Sequence, residues 1–365
     1  MTRIKDLIQE LESVAPRAYQ ESYDNSGLLV GNPNTAVKGV LITLDVTEEV
    51  VNEAVDTSCN VIIAHHPIIF NRLKSLTGKN YVERTVISAV KNDIAIYAIH
   101  TNLDNVHAGV NKKICDKLGL INTQILKPKN QILSKLVTFI PVSSTETVLA
   151  ALHKAGAGQL GNYENCSFTL EGTGFFTPNK HADPSIGSKG VSEKVTENRV
   201  EVIFPNYKAK EIIKTLNQAH PYEEVAYYLH NLENENQEVG SGMIGELKNE
   251  INSTDFLHYL KEKMELNCIR HTKICHDKIR RVAVCGGSGS FLLRAAKAKN
   301  ADIFITSDFK YHEFFDAENS IIIADIGHYE SEVFTKELLH EILREKFDKF
   351  ALNLSNVETN PIRYI

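Results

Sequence analysis

Val61-Ile62-Ile63-Ala64-His65-His66-Pro67 is the stretch around which the rest of the chain is organised. Three β-branched residues and an alanine predict a buried strand, and Pro67 ends it because proline cannot continue the hydrogen-bonded ladder. Successive side chains on a strand point to opposite faces, so the two histidines cannot share one core face. The stretch therefore presents two imidazoles at the carboxyl end of a strand, where open α/β sheets bind ligands. For this stretch alone, a histidine pair that only caps a strand is an equally good interpretation.

On both sides of this stretch the sequence alternates predicted strands and helices. Residues 40–44 and 94–99 are predicted strands that end in Asp45 and His100, and a second alternating series runs from about residue 255 to the end. Short links between these elements favour parallel sheets. The two series are similar in pattern, which predicts an α/β fold of two pseudo-repeated halves forming one domain, with their strand ends facing a shared cleft.

The middle of the chain has a different pattern. Its predicted order is β-α-β-β-α-β, which is the ferredoxin-like arrangement, and its stretch 177–198 is a long polar segment rich in Gly, Pro and Ser. We therefore expect residues 128–245 to form an inserted α+β domain with a functional or mobile loop. Residues 1–127 and 246–365 would form the α/β domain.

Composition restricts the class of protein. The chain has 365 residues, 42% of them hydrophobic and 24% charged, which is typical of a soluble globular protein. A net charge of −6 with scattered Lys and Arg argues against a dominant nucleic-acid surface, but leaves open a local basic patch or a lined channel that threads nucleic acid through a ring. The six cysteines form no C-x-x-C pair, the N-terminus lacks a signal-peptide core, and no apolar run is long enough to span a membrane. The expected location is cytoplasmic, without membrane association.

Several strand ends carry imidazoles or carboxylates, and together they predict a metal site. The candidate ligands are His65, His66, Asp104, His328 and Glu332. This set is too large for one structural zinc, but it suits two ions about 3.5–4 Å apart that share a bridging carboxylate. The nitrogen and oxygen donors are compatible with Zn, Fe, Mn, Co or Ni. Asp45, His100 and Asp308 are expected not to bind the metal themselves but to hydrogen-bond to the ligands and fix their orientation.

Five motifs and one stretch of the insert carry a family resemblance. The motifs are Asp24-Asn25-Ser26-Gly27-Leu28, Ala64-His65-His66-Pro67, His100-Thr101-Asn102-Leu103-Asp104, Thr306-Ser307-Asp308-Phe309-Lys310-Tyr311-His312 and Gly327-His328-Tyr329-Glu330-Ser331-Glu332. The insert contributes His220-Pro221-Tyr222-Glu223-Glu224-Val225-Ala226-Tyr227. With these, the chain resembles the GTP cyclohydrolase 1 type 2 homolog family of dinuclear-metal proteins over essentially its whole length.

The resemblance carries further expectations. It implies that the same five candidate residues bind two divalent ions per subunit, with zinc the first expectation. It also implies a toroidal homohexamer, either a dimer of trimers or a trimer of dimers, whose metal pairs face an internal cavity. The insert of the longer bacterial members resembles PII- and CutA-type domains.

The leading functional hypothesis is a metal-dependent hydrolase of a nucleotide-like or phosphate-bearing small molecule, with opening of the GTP ring as one candidate reaction. Glu332 or Asp104 would bridge the ions. Lys310 and His312 would bind a substrate phosphate or donate a proton, although a solvated loop explains them equally well. The alternative is a non-enzymatic metal-binding or regulatory hexamer with a sensing insert.

Overall fold

The computed structural model describes all 365 residues, and its first sheet contains the strand that ends before His65. With strands and helices numbered along the chain, the spatial order in this sheet is β1 (Gly27–Val30), β4 (Ala95–Ala98), β3 (Val61–Ala64), β2 (Gly39–Thr43) and β15 (Ala351–Leu354). All neighbours are parallel except the pair β1 and β4. Every residue of β2, β3 and β4 is buried, which explains their uninterrupted apolar sequences.

A second sheet contains the strands of the later α/β series. Its spatial order is β11 (Arg270–His271), β14 (Ile322–Asp325), β13 (Ile303–Ser307), β12 (Lys278–Ser288), β10 (Asn236–Asn252) and β5 (Ile121–Lys129). The strands β12, β13 and β14 are parallel, whereas β10 and β11 join them in the antiparallel sense. The chain thus has a mixed α/β fold with several sheets, as its alternation of strands and helices predicts.

Eleven α-helices connect or cover the strands. They are α1 (Ile4–Val14), α2 (Glu48–Asp56), α3 (Tyr81–Lys91), α4 (Thr101–Asp104), α5 (Val110–Lys117), α6 (Thr145–Lys154), α7 (Ala209–Ala219), α8 (Ser253–Lys263), α9 (Leu293–Ala298), α10 (His328–Glu332) and α11 (Thr335–Lys346). Short 3-10 segments lie at Arg17–Tyr19, Val142–Ser144, Asn206–Lys208, Ser290–Leu292 and Tyr311–Ala317. No helix combines the length and apolar character that crossing a membrane requires.

The chain divides into two compact units. One comprises Met1–Lys127 with Glu238–Ile365, and the other comprises Pro128–Gln237. The second unit has an antiparallel sheet of its own, in the order β7 (Phe168–Phe176), β8 (Glu193–Pro205), β6 (Leu133–Pro141) and β9 (Tyr227–Leu232). Its core is a separate cluster that includes Leu136, Val200, Phe204 and Leu216.

The structure differs from the sequence analysis at the edges of the predicted insert. Residues 238–245 belong to the first unit, because Met243 and Gly245 on β10 pair with Val284 and Val282 on β12. Residues 193–198, expected to be loop, form the first half of β8 and pair with β7. Alternating polar residues in 193–198, and glycine and serine between the buried residues of 238–245, leave no continuous apolar run that would reveal a strand.

Candidate metal centre

His65 and His66 follow β3 and remain attached to the neighbouring parallel strand. The backbone N–H groups of His65 and His66 donate to the carbonyls of Thr43 and Leu44, at 3.2 and 2.9 Å. This pairing holds the two rings with centroids 4.9 Å apart. The His65 side chain is wholly buried, whereas one fifth of the His66 side chain is exposed. A buried strand end therefore fixes the positions of two imidazoles.

Four imidazoles in this region are each held through Nδ1. The His65 ring donates to the Ile99 carbonyl at 2.8 Å. The other three rings donate to carboxylates: His66 to Asp45 at 2.8 Å, His100 to Asp24 at 2.8 Å and His328 to Asp308 at 2.7 Å. A ring whose Nδ1 donates to a carboxylate or carbonyl keeps Nε2 for another partner, which is the arrangement found behind metal-binding histidines. The rings are therefore oriented in the way that metal coordination requires.

Glu332 lies between these rings on the short helix α10. Its Oε2 is 2.9 Å from His66 Nε2 and 3.1 Å from His328 Nε2, and its Oε1 is 3.8 Å from His65 Nε2. Burial alone would raise the pKa of Glu332, but the neighbouring imidazoles outweigh burial and hold the pKa well below its usual range. The carboxylate is therefore ionised and shared by three rings.

The carboxylates also determine the charge of the rings that face them. Burial alone would lower the pKa of His66, but its hydrogen bonds to Asp45 and Glu332 raise the pKa to about 10. Burial alone would also lower the pKa of His328, but its hydrogen bonds to Asp308 and Glu332 raise the pKa to about 11. The raised pKa values mean that protonated His66 and His328 balance the negative charge of the neighbouring carboxylates. A bound divalent cation would balance the same negative charge.

Two polar atoms of the cluster are buried without a hydrogen-bond partner. They are His65 Nε2 and Asp104 Oδ1, which lie 3.5 Å apart. Burial, together with the charge of Glu332, raises the pKa of Asp104 above its usual range. Unpartnered buried polar atoms are costly, and a nitrogen lone pair facing a carboxylate oxygen gains nothing from that contact. A cation bound between the two atoms would satisfy both, so the residues present fit a metal ion.

The ligand atoms form three overlapping groups, each with all atoms within 4.8 Å of one another. The groups are His65 with His66 and His100, His66 with His328 and Glu332, and His65 with Asp104 and Glu332. The structure therefore brings together all five residues that the sequence analysis named as candidate ligands. Glu332 belongs to two groups, as a bridging carboxylate would.

His100 and Asp24 contribute to the cluster in ways that the sequence did not predict. A ring nitrogen of His100 lies within the first group, so His100 is itself a candidate ligand. Asp24 accepts hydrogen bonds from His100 Nδ1 and from the backbone N–H and hydroxyl of Thr101. Burial opposes ionisation of Asp24, yet these bonds lower its pKa. Because Asp24 and His100 are 76 positions apart, spacing carried no signal for this contact.

Gly287 lies in a glycine-rich turn, residues 286–289, whose sequence suggests weakly a phosphate-binding turn but not the contact with Glu332 that the structure shows. It has a left-handed φ of +60°, and a Cβ atom at this position would lie 2.4 Å from Glu332 Oε1. Its N–H donates to Ser331 Oγ at 2.9 Å. The strand end after Cys285 therefore needs a glycine so that backbone and carboxylate can approach each other.

Lys310 and His312 make their contacts outside the cluster. The Lys310 N–H donates to Glu313, and the His312 ring packs against Tyr311 and Phe315 with centroids 5.2 and 6.4 Å apart. Both side chains are exposed. They follow Asp308, which holds His328, but no contact joins them to the candidate ligands.

Comparisons with known proteins agree over nearly the whole chain. The family model described as Duf34/NIF3 (NGG1p interacting factor 3) matches residues 2–361. A Bacillus subtilis (strain 168) protein named GTP cyclohydrolase 1 type 2 homolog is 37% identical over 366 residues, covering 99% of this chain and 98% of the relative. The crystal structure of a Bacillus cereus protein related to NIF3 has a TM-score of 0.87 at 39% identity, covering 100% and 99% of the two chains. Staphylococcus aureus protein SA1388 has a TM-score of 0.80 at 31% identity, with the same coverage.

Proposed function

Because the chain belongs to the Duf34/NIF3 family, we propose that it binds two divalent metal ions and acts as a metal-dependent hydrolase. The resemblance expected from the sequence motifs is confirmed by the family model and by the name of the relatives. The proposed substrate is a nucleotide-like or phosphate-bearing small molecule. The relatives' name, GTP cyclohydrolase 1 type 2 homolog, makes opening of the GTP ring one candidate reaction.

The observation that carries this proposal is the convergence of anchored imidazoles on Glu332 and Asp104. In the proposed centre two ions are held by His65, His66, Asp104, His328 and Glu332, with His100 as an additional donor. Three overlapping donor groups support two ions rather than one. Zinc is the first expectation, and iron, manganese, cobalt or nickel also suit nitrogen and oxygen donors.

The chain's own residues have distinct tasks in the proposed reaction. Bound divalent ions supply the Lewis acidity that activates water and polarises the substrate. Glu332 is shared between the two positions, and Asp45 and Asp308 keep the Nδ1 protons on their rings, so that Nε2 stays available. Lys310 and His312 are exposed and follow Asp308 in the sequence, and we assign to them the binding of a substrate phosphate or the donation of a proton.

Substitution of His65 tests the proposal. His65→Ala should abolish metal retention and hydrolysis together, whereas His258→Ala, an exposed histidine on α8, should leave both unchanged. Metal content is measured by mass spectrometry. Turnover is assayed separately with GTP, other nucleotides and phosphoesters as substrates. Hydrolysis that survives in metal-free His65→Ala protein would contradict the mechanism.

A second candidate is a metal-binding regulatory protein in which the insert senses a ligand. A cavity of about 740 Å³ within the second unit favours this alternative. Full metal occupancy with no turnover on the same panel of compounds would select it over the hydrolase.

We also propose the finer architecture that the resemblance implies. The second unit is ferredoxin-like, which its strand order β7-β8-β6-β9 supports, and the two sheets of the first unit are pseudo-repeated halves. The protein is proposed to form a homohexamer without nucleic acid or membrane as partner. Light scattering of the purified chain tests the hexamer, and a stable monomer would contradict it.

A further inference from the structure

The second unit contains a cavity between the open face of its sheet and the loop after β7. Its volume is about 740 Å³, within the usual range for small-molecule pockets. The loop is tied across the opening, because the Asp183 N–H donates to Glu223 Oε1 at 2.7 Å. The cavity is therefore built from ordered contacts on both sides.

A buried carboxylate lines this cavity. Glu197 is only 8% exposed, and its one hydrogen bond comes from the Tyr222 hydroxyl at 2.9 Å. The carboxylate lies against β7 at Gly174, where a Cβ in the observed arrangement would lie 2.2 Å from Glu197 Oε2. The fold thus leaves room for a buried acidic group at this position.

No cationic side chain neutralises Glu197. Arg199, two positions along β8, also lines the cavity, but its guanidinium is bonded to Glu201 at 2.8 Å. Both ring nitrogens of His220 are engaged, one with the Phe139 carbonyl and the other with the Tyr222 N–H. Buried carboxylates are normally paired, so an unpaired one in a cavity indicates a missing cation.

The remaining walls determine what kind of cation fits. Aromatic rings line the cavity as two edge-to-face pairs, Phe176 with Tyr222 and Phe139 with Tyr228, with centroids 5.9 and 5.8 Å apart. Aromatic faces beside a carboxylate favour an organic ammonium group, because the ring quadrupole attracts cations and the ring body packs against carbon. A small inorganic ion would leave most of this volume unfilled.

We propose that the second unit binds a small organic cation, an amine whose ammonium group pairs with Glu197 and whose carbon skeleton lies against the aromatic walls. The site is separate from the metal centre and would serve as its own recognition site. Binding of the amine at this site does not depend on the proposed hydrolysis.

Ligand-observed NMR on the full-length protein tests the site with three matched probes, benzylammonium, benzyl alcohol and benzoate. Benzylammonium should bind saturably, and the neutral and anionic analogues should not. Glu197→Gln keeps the size and the acceptor for Tyr222 but removes the charge, so affinity should fall roughly tenfold or more. Glu146→Gln, which removes an exposed carboxylate on α6 that does not line the cavity, should bind benzylammonium like the wild type.

Several results would overturn the proposal. They are the absence of saturable benzylammonium binding, equal binding of benzoate, and unchanged affinity in Glu197→Gln. If Glu197→Gln does not fold, Tyr228→Leu keeps the carboxylate and removes an aromatic wall, and unchanged affinity in that variant would also refute the site. Unchanged binding in Glu332→Gln is expected, and loss there would assign the cation to the metal centre instead.

Discussion

At the scale of single residues, the hydrogen bond between Asp45 and His66 fixes one ring of the metal centre. Asp45 accepts from His66 Nδ1 at 2.8 Å and from the Thr359 hydroxyl at 2.7 Å. Asp45→Ala should free the ring and lower metal affinity by about 10–100-fold. Thr359→Ala removes only the other partner of Asp45 and serves as the control. Chelator competition measures both variants, and equal affinities would show that Asp45 does not orient the ligand.

The approach of Gly287 to Glu332 gives a second prediction at this scale. Gly287→Ala places a methyl group against Glu332 Oε1 and should displace the carboxylate, which lowers metal occupancy. Gly161→Ala is a matched control, because its φ of +55° carries a similar left-handed strain of about 1 kcal/mol but no atom lies within 4 Å of the new Cβ. Metal content after dialysis should fall only in Gly287→Ala, and a fall in both variants would contradict the steric explanation.

At the scale of elements, Glu83 on α3 organises the loop that precedes its helix. The carboxylate accepts hydrogen bonds from the N–H and hydroxyl of Thr77, at 2.8 and 2.9 Å, and from the Lys79 N–H at 3.3 Å. The bond from the Thr77 N–H is the main cause that lowers the pKa of Glu83 to about 2 from 4.5. Because the folded pKa is depressed, the stabilisation is complete above about pH 4.5 and is lost as the pH falls towards 2.

Glu83→Gln should therefore destabilise the protein at neutral pH, and the difference from wild type should shrink below about pH 4.5. Urea unfolding of metal-free protein at a series of pH values measures the difference directly, with Glu345→Gln at an exposed position of α11 as the control. A difference that stays constant down to pH 3 would show that the carboxylate charge is not what binds the loop.

The elements also show what local sequence predicts and what it does not. The strands before His65 and His100 were predictable because both faces are buried and their residues are continuously apolar. The strands β5, β11 and β15 were missed, because they are short or partly polar edge strands whose partners lie far away in sequence. In the same way, five candidate ligands could be named from residue type at strand ends, whereas the contact between Asp24 and His100 required the fold.

At the scale of the whole molecule, the two compact units have separate cores, and their stabilities should respond separately to core substitutions. Phe204 belongs to the core of the second unit and Phe304 to that of the second sheet in the first unit, and both are fully buried. Each change to alanine should cost about 3–5 kcal/mol in the unit that contains it. Only Phe304→Ala should weaken metal binding, as calorimetry and metal titration together would reveal. Loss of metal affinity in Phe204→Ala would mean that the units depend on each other.

The metal stoichiometry of the full chain tests the central claim most directly. Protein saturated with zinc and then dialysed should retain two ions per chain by mass spectrometry, and Glu332→Gln should lose both because Glu332 belongs to two of the three donor groups. Wild-type protein that retains no ion, or Glu332→Gln protein that still retains two, would contradict the account.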